Sequence, residues 1–190
     1  MKKTLNAAVA AVLLSLGGAA SADDGVIRIG FITDMSGLSA DADGPGGAEA
    51  IKMAVADMGG AVAGKKIEVL VADHQNRADI ASSRAREWLD QKGVDMLIAG
   101  ANSAAALAMA KVAEEKKTPF FVVSAGASEL TNAQCTPYTV HYVYDTVSLS
   151  RGTARAMLKE GNKDWFFLTV DHAFGPVSYT HLTLPTTPYV

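Results

Sequence analysis

Apolar and polar positions follow two rhythms along this chain, and the switches between them mark its elements. In GVIRIGFITDMSG, Val26, Ile27, Ile29, Phe31 and Ile32 form a short β-branched run that ends at Asp34 and a Gly/Ser loop. Such a run, bounded by turn residues, predicts a buried strand. After the loop SGLSADADGPGG the period changes. In AEAIKMAVADMGG, Ile51, Ala54, Val55 and Met58 fall on one helical face, and Gly59 and Gly60 end the helix. KKIEVLVADHQN returns to the strand rhythm. RADIASSRAREWLDQKG predicts a second helix with Ile80, Ala81, Ala85, Trp88 and Leu89 inward and Gly93 at its end. The alternation continues with a strand in VDMLIAG and an Ala-rich helix in NSAAALAMAKVAEEKK, stopped by Pro119. PFFVVSAGAS and YTVHYVY read as the fourth and fifth strands, TVSLSRGTARAMLKEG as another helix, and DWFFLTVDHAFG as one more strand and its loop.

Strands alternating with helices at this spacing predict βαβ units. The expected fold is α/β: a doubly wound, mostly parallel sheet with helices on both faces. In such a sheet, ligands bind beyond the carboxyl ends of the strands, where the strand order reverses. With order 2-1-3-4-5, the crevice lies between the loops after strands one and three, SGLSADADGPGG and GANSAAA, with SAGAS next along. All three loops are rich in small residues, so the backbone of Gly100, Ala101, Ser103, Ala104 and Ala105 can come close to a ligand. Ser103 opens the third helix, whose free N–H groups and dipole favour an anion. Asn102 or Ser103 also suits the N-cap, a role compatible with ligand contact. Ser124, Ala125, Gly126 and Ala127 offer further backbone groups. The ligand expected here is a small carboxylate held by neutral dipoles.

The first residues stand apart from this pattern. MKKTLNAAVAAVLLSLGGAASA carries Lys2 and Lys3, an apolar stretch from Ala7 to Leu16, and Ala20-Ser21-Ala22 as a cleavage pattern. These are the parts of a secretory signal peptide. The apolar run is short of the roughly 18 to 20 residues that a membrane span needs. Removing Lys2 and Lys3 takes the formal charge from −3 to −5. The expected product is exported and soluble, most simply in a bacterial periplasm.

Composition narrows the chemistry. An aromatic share of 7% and a net charge of −3 argue against a nucleic-acid partner. The single cysteine, Cys135, rules out an internal disulfide and a Cys-cluster zinc site. GGAVAGKK has phosphate-loop spacing, but Lys66 stands where Ser or Thr must bind magnesium, and the segment joins a helix to a strand. SADADG places Ser39, Asp41, Asp43 and Gly44 like the start of a calcium loop. The closing acid is missing, because position 50 is Ala50, and a polar turn is the better reading. His74, His141, His172 and His181 show no ligand spacing, and no nucleophile elbow is present. Asp34 and Asp73 sit at strand ends, where Asp more often caps loops. No metal, cofactor or enzymatic role is expected.

Taken in order, IRIGFITDMSG, GKKIEVLVADHQNRAD, VDMLIAGANSAAALAMA, SAGASELT, YDT and WFFLTVDHAFG resemble a known family. The chain is similar to a periplasmic substrate-binding protein of a bacterial ABC importer, of the leucine/isoleucine/valine-binding (type I) kind, over residues 26–175. That resemblance implies two α/β lobes, joined by hinge strands, which close on an amino acid or related carboxylate and deliver it to an ABC permease. Contact with the inner membrane is then peripheral, through the permease complex. It also implies that Ser103 and the loop of Ser124, Ala125, Gly126 and Ala127 hold the ligand's carboxylate and amino groups, with Asn102 beside them. Phe174 is implied as an apolar wall. A ligand-sensing domain for a signalling receptor uses the same fold and is the alternative. A secreted hydrolase would need a nucleophile and base at the strand ends, and none is arranged here.

Members of the family run to about twice this length, in keeping with two domains of ordinary size. The expected division is a signal peptide at 1–22, an N-terminal lobe at 23–145, the start of a second lobe at 146–175, and a tail at 176–190 of foreign origin. In that tail, VSYTHLTLPT at 177–186 matches, residue for residue, the translation of a DNA string resembling a transposase sequencing adapter. Pro185 and Pro188 make the segment awkward as a strand.

Overall fold

In a computed structural model of the chain, the structure describes residues 24–161, 164–166, 168–171, 173–176 and 178. The leader expected at 1–22 lies outside the described residues, as do His172, His181 and most of the 176–190 tail.

The elements are β1 Val26–Thr33, α1 Ala40–Asp43, α2 Pro45–Asp57, β2 Ala61–Val62, β3 Lys65–Asp73, α3 Ala78–Glu87, β4 Met96–Ala99, α4 Ser103–Lys116, β5 Phe120–Val122, β6 Thr139–His141 and α5 Thr146–Lys159. A π-helical turn at Trp88–Lys92 extends α3, and a 3-10 turn lies at Ser128–Leu130. They build one sheet in the order β2-β3-β1-β4-β5-β6. All pairings are parallel except β2 with β3. Setting β2 aside, this is the expected 2-1-3-4-5 order.

Strand β2 was not foreseen. The GGAVAGKK segment turns back in a two-residue hairpin, with Val62 opposite Lys65. Ala63 and Gly64 between them have φ of 50° and 78°. Two consecutive positive φ values are what a tight hairpin with the native strand twist requires.

Side-chain alternation along the strands separates two cores. Ile32, Leu97, Ala99, Phe120 and Val122 face α3 and α4, where Ala81, Ala85, Trp88, Met109 and Ala110 complete the larger cluster. Phe31 and Ile98 face the other way, against Ala48 and Ile51 of α2. Helices therefore cover both faces, as the doubly wound pattern requires. Gly30 is glycine because Trp88 packs over it: a Cβ there would lie 2.8 Å from the indole. On α2, Ile51 and Val55 are half-buried as expected, but Ala54 and Met58, expected on the same face, are exposed, Met58 lying past the helix end at Asp57.

The strand expected over DWFFLTV is not found among its described residues. Described residues 164–166 and 168–170 have no regular structure, and Phe166 and Leu168 are 92% and 91% exposed. A β-branched and aromatic run becomes a strand only where a neighbour supplies ladder hydrogen bonds and a surface to pack on. Among the described residues nothing beyond β6 does so.

The register decides where function can sit. Thr33 lies opposite Asp73, Ile32 opposite Ala99, Ala99 opposite Val122, and Val122 opposite His141. The carboxyl ends of β3, β1, β4, β5 and β6 therefore line up along one rim.

Candidate functional site

The β1 end of the rim is rigid. Asp34, fully buried, accepts hydrogen bonds from the N–H groups of Gly37 and Ser39 at 2.8 and 2.9 Å. Asp73 accepts from the Ser36 hydroxyl at 2.6 Å and from the N–H groups of Met35 and Gln75 at 3.0 and 2.7 Å. Burial works to raise the Asp73 carboxyl, but these three donors together hold it below the usual carboxylate range. Both acids are loop organisers, as expected. His74 is buried, with Nδ1 accepting from the N–H of Asn76 at 3.0 Å. Burial pushes the imidazole below its usual range, against the pull of Asp34, Asp73 and Asp43.

At the start of α4, Asn102 is the N-cap. Its side-chain oxygen accepts from the N–H of Ala105 at 2.8 Å, and its carbonyl accepts from Ala106 at 2.9 Å. Its amide nitrogen donates to the side-chain oxygen and the carbonyl of Asn76. This ties the helix start to the β3–α3 loop and commits the Asn102 side chain to protein partners. Of the N–H groups at the helix start that lack an intrahelical partner, the Asn102 side chain satisfies that of Ala105. Ser103 is 0% exposed, and its Oγ has no hydrogen-bond partner. A buried hydroxyl without a partner is uncommon and marks a place where a further atom fits.

The neighbouring loop places Ser124 half-buried and Ala125, Gly126 and Ala127 buried beside this turn. Three of its carbonyls are hydrogen-bonded within the protein. That of Ala125 is bonded to His141 Nε2 at 2.8 Å, that of Gly126 accepts from the N–H of Thr146 at 2.8 Å, and that of Ala127 accepts from Leu130 at 3.2 Å. With the carbonyls so engaged, the loop is fixed by β6 and α5. Gly126 is glycine for a steric reason: a Cβ would lie 3.0 Å from the Tyr144 ring and 3.1 Å from the Phe174 ring. Phe174 thus reaches the loop that carries Ser124, Ala125, Gly126 and Ala127.

Three residues of the rim escaped the sequence reading. Tyr144, 52% exposed, shares Gly126 with Phe174. Thr146 is fully buried at the first position of α5, with Oγ1 unpartnered. Its sequence signals are the YDT segment quoted above and its place after Asp145, which caps α5 in a reciprocal box with Ser148. Asp43 was read as part of a polar turn. The turn is real, since SADADG forms α1 and the entry to α2, but the Asp43 side chain reaches back to Thr33, whose hydroxyl donates to Oδ1 at 2.8 Å. Among the described residues no three His, Cys, Asp or Glu side chains converge in a way that suits a metal ion.

A concavity also lies at the opposite edge, around Val26, Arg28, Lys65 and Gly93. Arg28 pairs with Asp24 at 2.6 Å and Glu68 at 3.0 Å, and its N–H donates to Asp95 at 2.8 Å. The carboxyl rim, by contrast, holds the buried, unpartnered hydroxyls of Ser103 and Thr146.

A family model described as periplasmic binding protein matches residues 26–183, which includes part of the segment expected to be foreign. Among curated proteins, none matches the chain significantly. Solved structures do. A periplasmic binding protein from Burkholderia mallei is 62% identical, with a TM-score of 0.80, over 83% of this chain and 42% of that one. A branched chain amino acid ABC transporter periplasmic ligand-binding protein from Burkholderia xenovorans LB400 is 33% identical, with a TM-score of 0.71, over 82% and 42%. An ABC transporter solute binding protein from Rhodopseudomonas palustris BisB5, solved with 3,4-dihydroxy benzoic acid, is 30% identical, with a TM-score of 0.74, over 85% and 44%. The chain therefore spans under half the length of these relatives. With its sheet order, its rim and a family match over most of its length, the chain belongs to the periplasmic binding protein family.

Proposed function

We propose that the protein is the solute-binding component of an ABC importer, of the leucine/isoleucine/valine-binding type. It acts outside the cytoplasm after export through its N-terminal leader. It captures a small carboxylate, an amino acid or a related acid, between this lobe and a second one, and presents it to a membrane permease. The observation that carries this reading is the buried, unpartnered hydroxyl of Ser103 at the start of a 14-residue helix. An anion placed there meets the Ser103 hydroxyl, the helix-start N–H groups and the dipole together. Tyr144 and Phe174 supply apolar surface beside it. The relatives support the chemistry: one is described as a branched-chain amino acid protein and one holds a dihydroxybenzoic acid.

The test is a thermal-shift and calorimetric screen of the protein expressed from its intact gene, against amino acids and aromatic acids. Saturable binding of at least one carboxylate, lost with its uncharged amide analogue, is expected. Equal binding of acid and amide would refute the anion site.

A further inference from the structure

We propose that Asp43 accepts a hydrogen bond from a donor group on the bound solute, so that the solute is an acid bearing an ammonium or hydroxyl group rather than a plain acid. This rests on the carboxylate-binding reading above and specifies the ligand class within it.

Asp43 closes α1, and its two carboxyl oxygens are not equivalent. Oδ1 accepts from the Thr33 hydroxyl, whereas Oδ2 is buried and has no partner. Its direction is fixed by Gly100. A Cβ at Gly100 would lie 2.5 Å from Oδ2, 2.7 Å from Oδ1 and 2.1 Å from Thr33 Oγ1. Asp43 therefore faces the turn that runs from β4 into α4. At the other end of that turn is Ser103, fully buried, with its own hydroxyl unpartnered. Two unsatisfied polar atoms of complementary kind thus bracket residues 100–103. One is a carboxyl oxygen that wants a donor, and the other is a hydroxyl that has one to give.

The nearby acids do not share this state. Asp34 is taken up by Gly37 and Ser39, and Asp73 by three donors. Of the three carboxyls at this part of the rim, Asp43 is the one left with an open acceptor. A buried carboxyl oxygen without a donor is costly, and a second acceptor or an alkyl group placed against it would leave it so. An ammonium or hydroxyl satisfies it. Gly100 lets the Asp43 carboxyl pack this close to the turn, since a side chain there would displace it.

Calorimetry on the protein expressed from its intact gene tests this with two matched pairs: leucine against 4-methylpentanoate, and 3,4-dihydroxybenzoate against benzoate. In at least one pair the donor-bearing acid should bind tighter by about 10-fold or more, as a site with an unsatisfied acceptor discriminates against a ligand lacking the donor. The pair that shows the gap tells whether the donor is ammonium or hydroxyl. In Asp43→Asn the gap should shrink to about 3-fold or less, while the plain acid changes by no more than about 2-fold. A gap that persists in Asp43→Asn overturns the proposal. So does wild-type protein that binds both members of each pair equally, or neither, and this comparison stands even if the variant fails to fold. The parent reading fails separately, when Ser103→Ala leaves the affinity for every acid unchanged.

Discussion

Ser103→Ala separates a ligand contact from a structural cap, because the two roles predict opposite signs for stability. In the free protein the Ser103 hydroxyl is buried and makes no hydrogen bond. A buried polar group left unsatisfied costs about 1–3 kcal/mol. Alanine removes that cost and adds a helix preference of up to about 0.5 kcal/mol. The small void left by one oxygen takes some of this back. The net expectation is a gain of about 1 kcal/mol, or roughly 2–4 °C in Tm for a chain of this size. The liganded protein should respond the other way. A hydrogen bond to a charged group contributes about 1.5–3 kcal/mol. Its loss weakens carboxylate binding by about 10- to 150-fold. Denaturant unfolding, with an unchanged m-value as the control for compactness, reads the first effect, and titration calorimetry reads the second. If Ser103→Ala destabilises the free protein and leaves carboxylate affinity within about twofold, Ser103 is a packing residue and the anion-site reasoning is wrong.

Gly100→Ala should destabilise by about 2–4 kcal/mol, since its Cβ would overlap the buried Thr33 hydroxyl and break the Thr33–Asp43 hydrogen bond; chemical denaturation checks it. Asp145→Ala should cost about 1 kcal/mol through loss of the α5 capping box, a loss visible as helix fraying in amide exchange around Ser148. His74 gives a pH signature. Its folded-state pKa is depressed, so its contribution is fully present above the unfolded value near 6.5 and is lost as pH falls through the folded value. Stability should therefore decline as the pH is lowered below about 6.5, and a His74→Gln variant should show a flatter stability–pH curve in that window.

Most of the sheet was legible because its strands combine a strong pattern with clear ends. Phe31 and Ile32, Leu97 and Ile98, and Phe120 and Val122 are apolar and buried, and Asp34, Gly100 and Ser124 follow them at the rim. Parallel strands covered on both faces read as continuous apolar runs, and these do. The β2 hairpin was not legible, because Ala61 and Val62 carry too little pattern and Ala63 is an unusual residue for positive φ. DWFFLTV misled for the opposite reason: its strand propensity is real, but propensity does not supply a partner. At the candidate site, the strand order and the small residues point to Ser103 and residues 124–127, which lie along the carboxyl rim. Asp43, Tyr144 and Thr146 were not found, since each meets the rim through a contact between elements distant in sequence. Thr33 with Asp43, Gly126 with Tyr144, and Gly126 with Thr146 are such contacts. No local period records them.

The central claim is that a carboxylate binds at the carboxyl rim through Ser103 and the start of α4. A crystal structure of the protein expressed from its intact gene, grown with a bound carboxylic acid, tests it most directly. A carboxylate oxygen within hydrogen-bond distance of Ser103 Oγ and of the α4 helix-start N–H groups is the predicted result. An acid bound instead to Arg28 at the opposite edge, with Ser103 Oγ still unpartnered, would contradict the account.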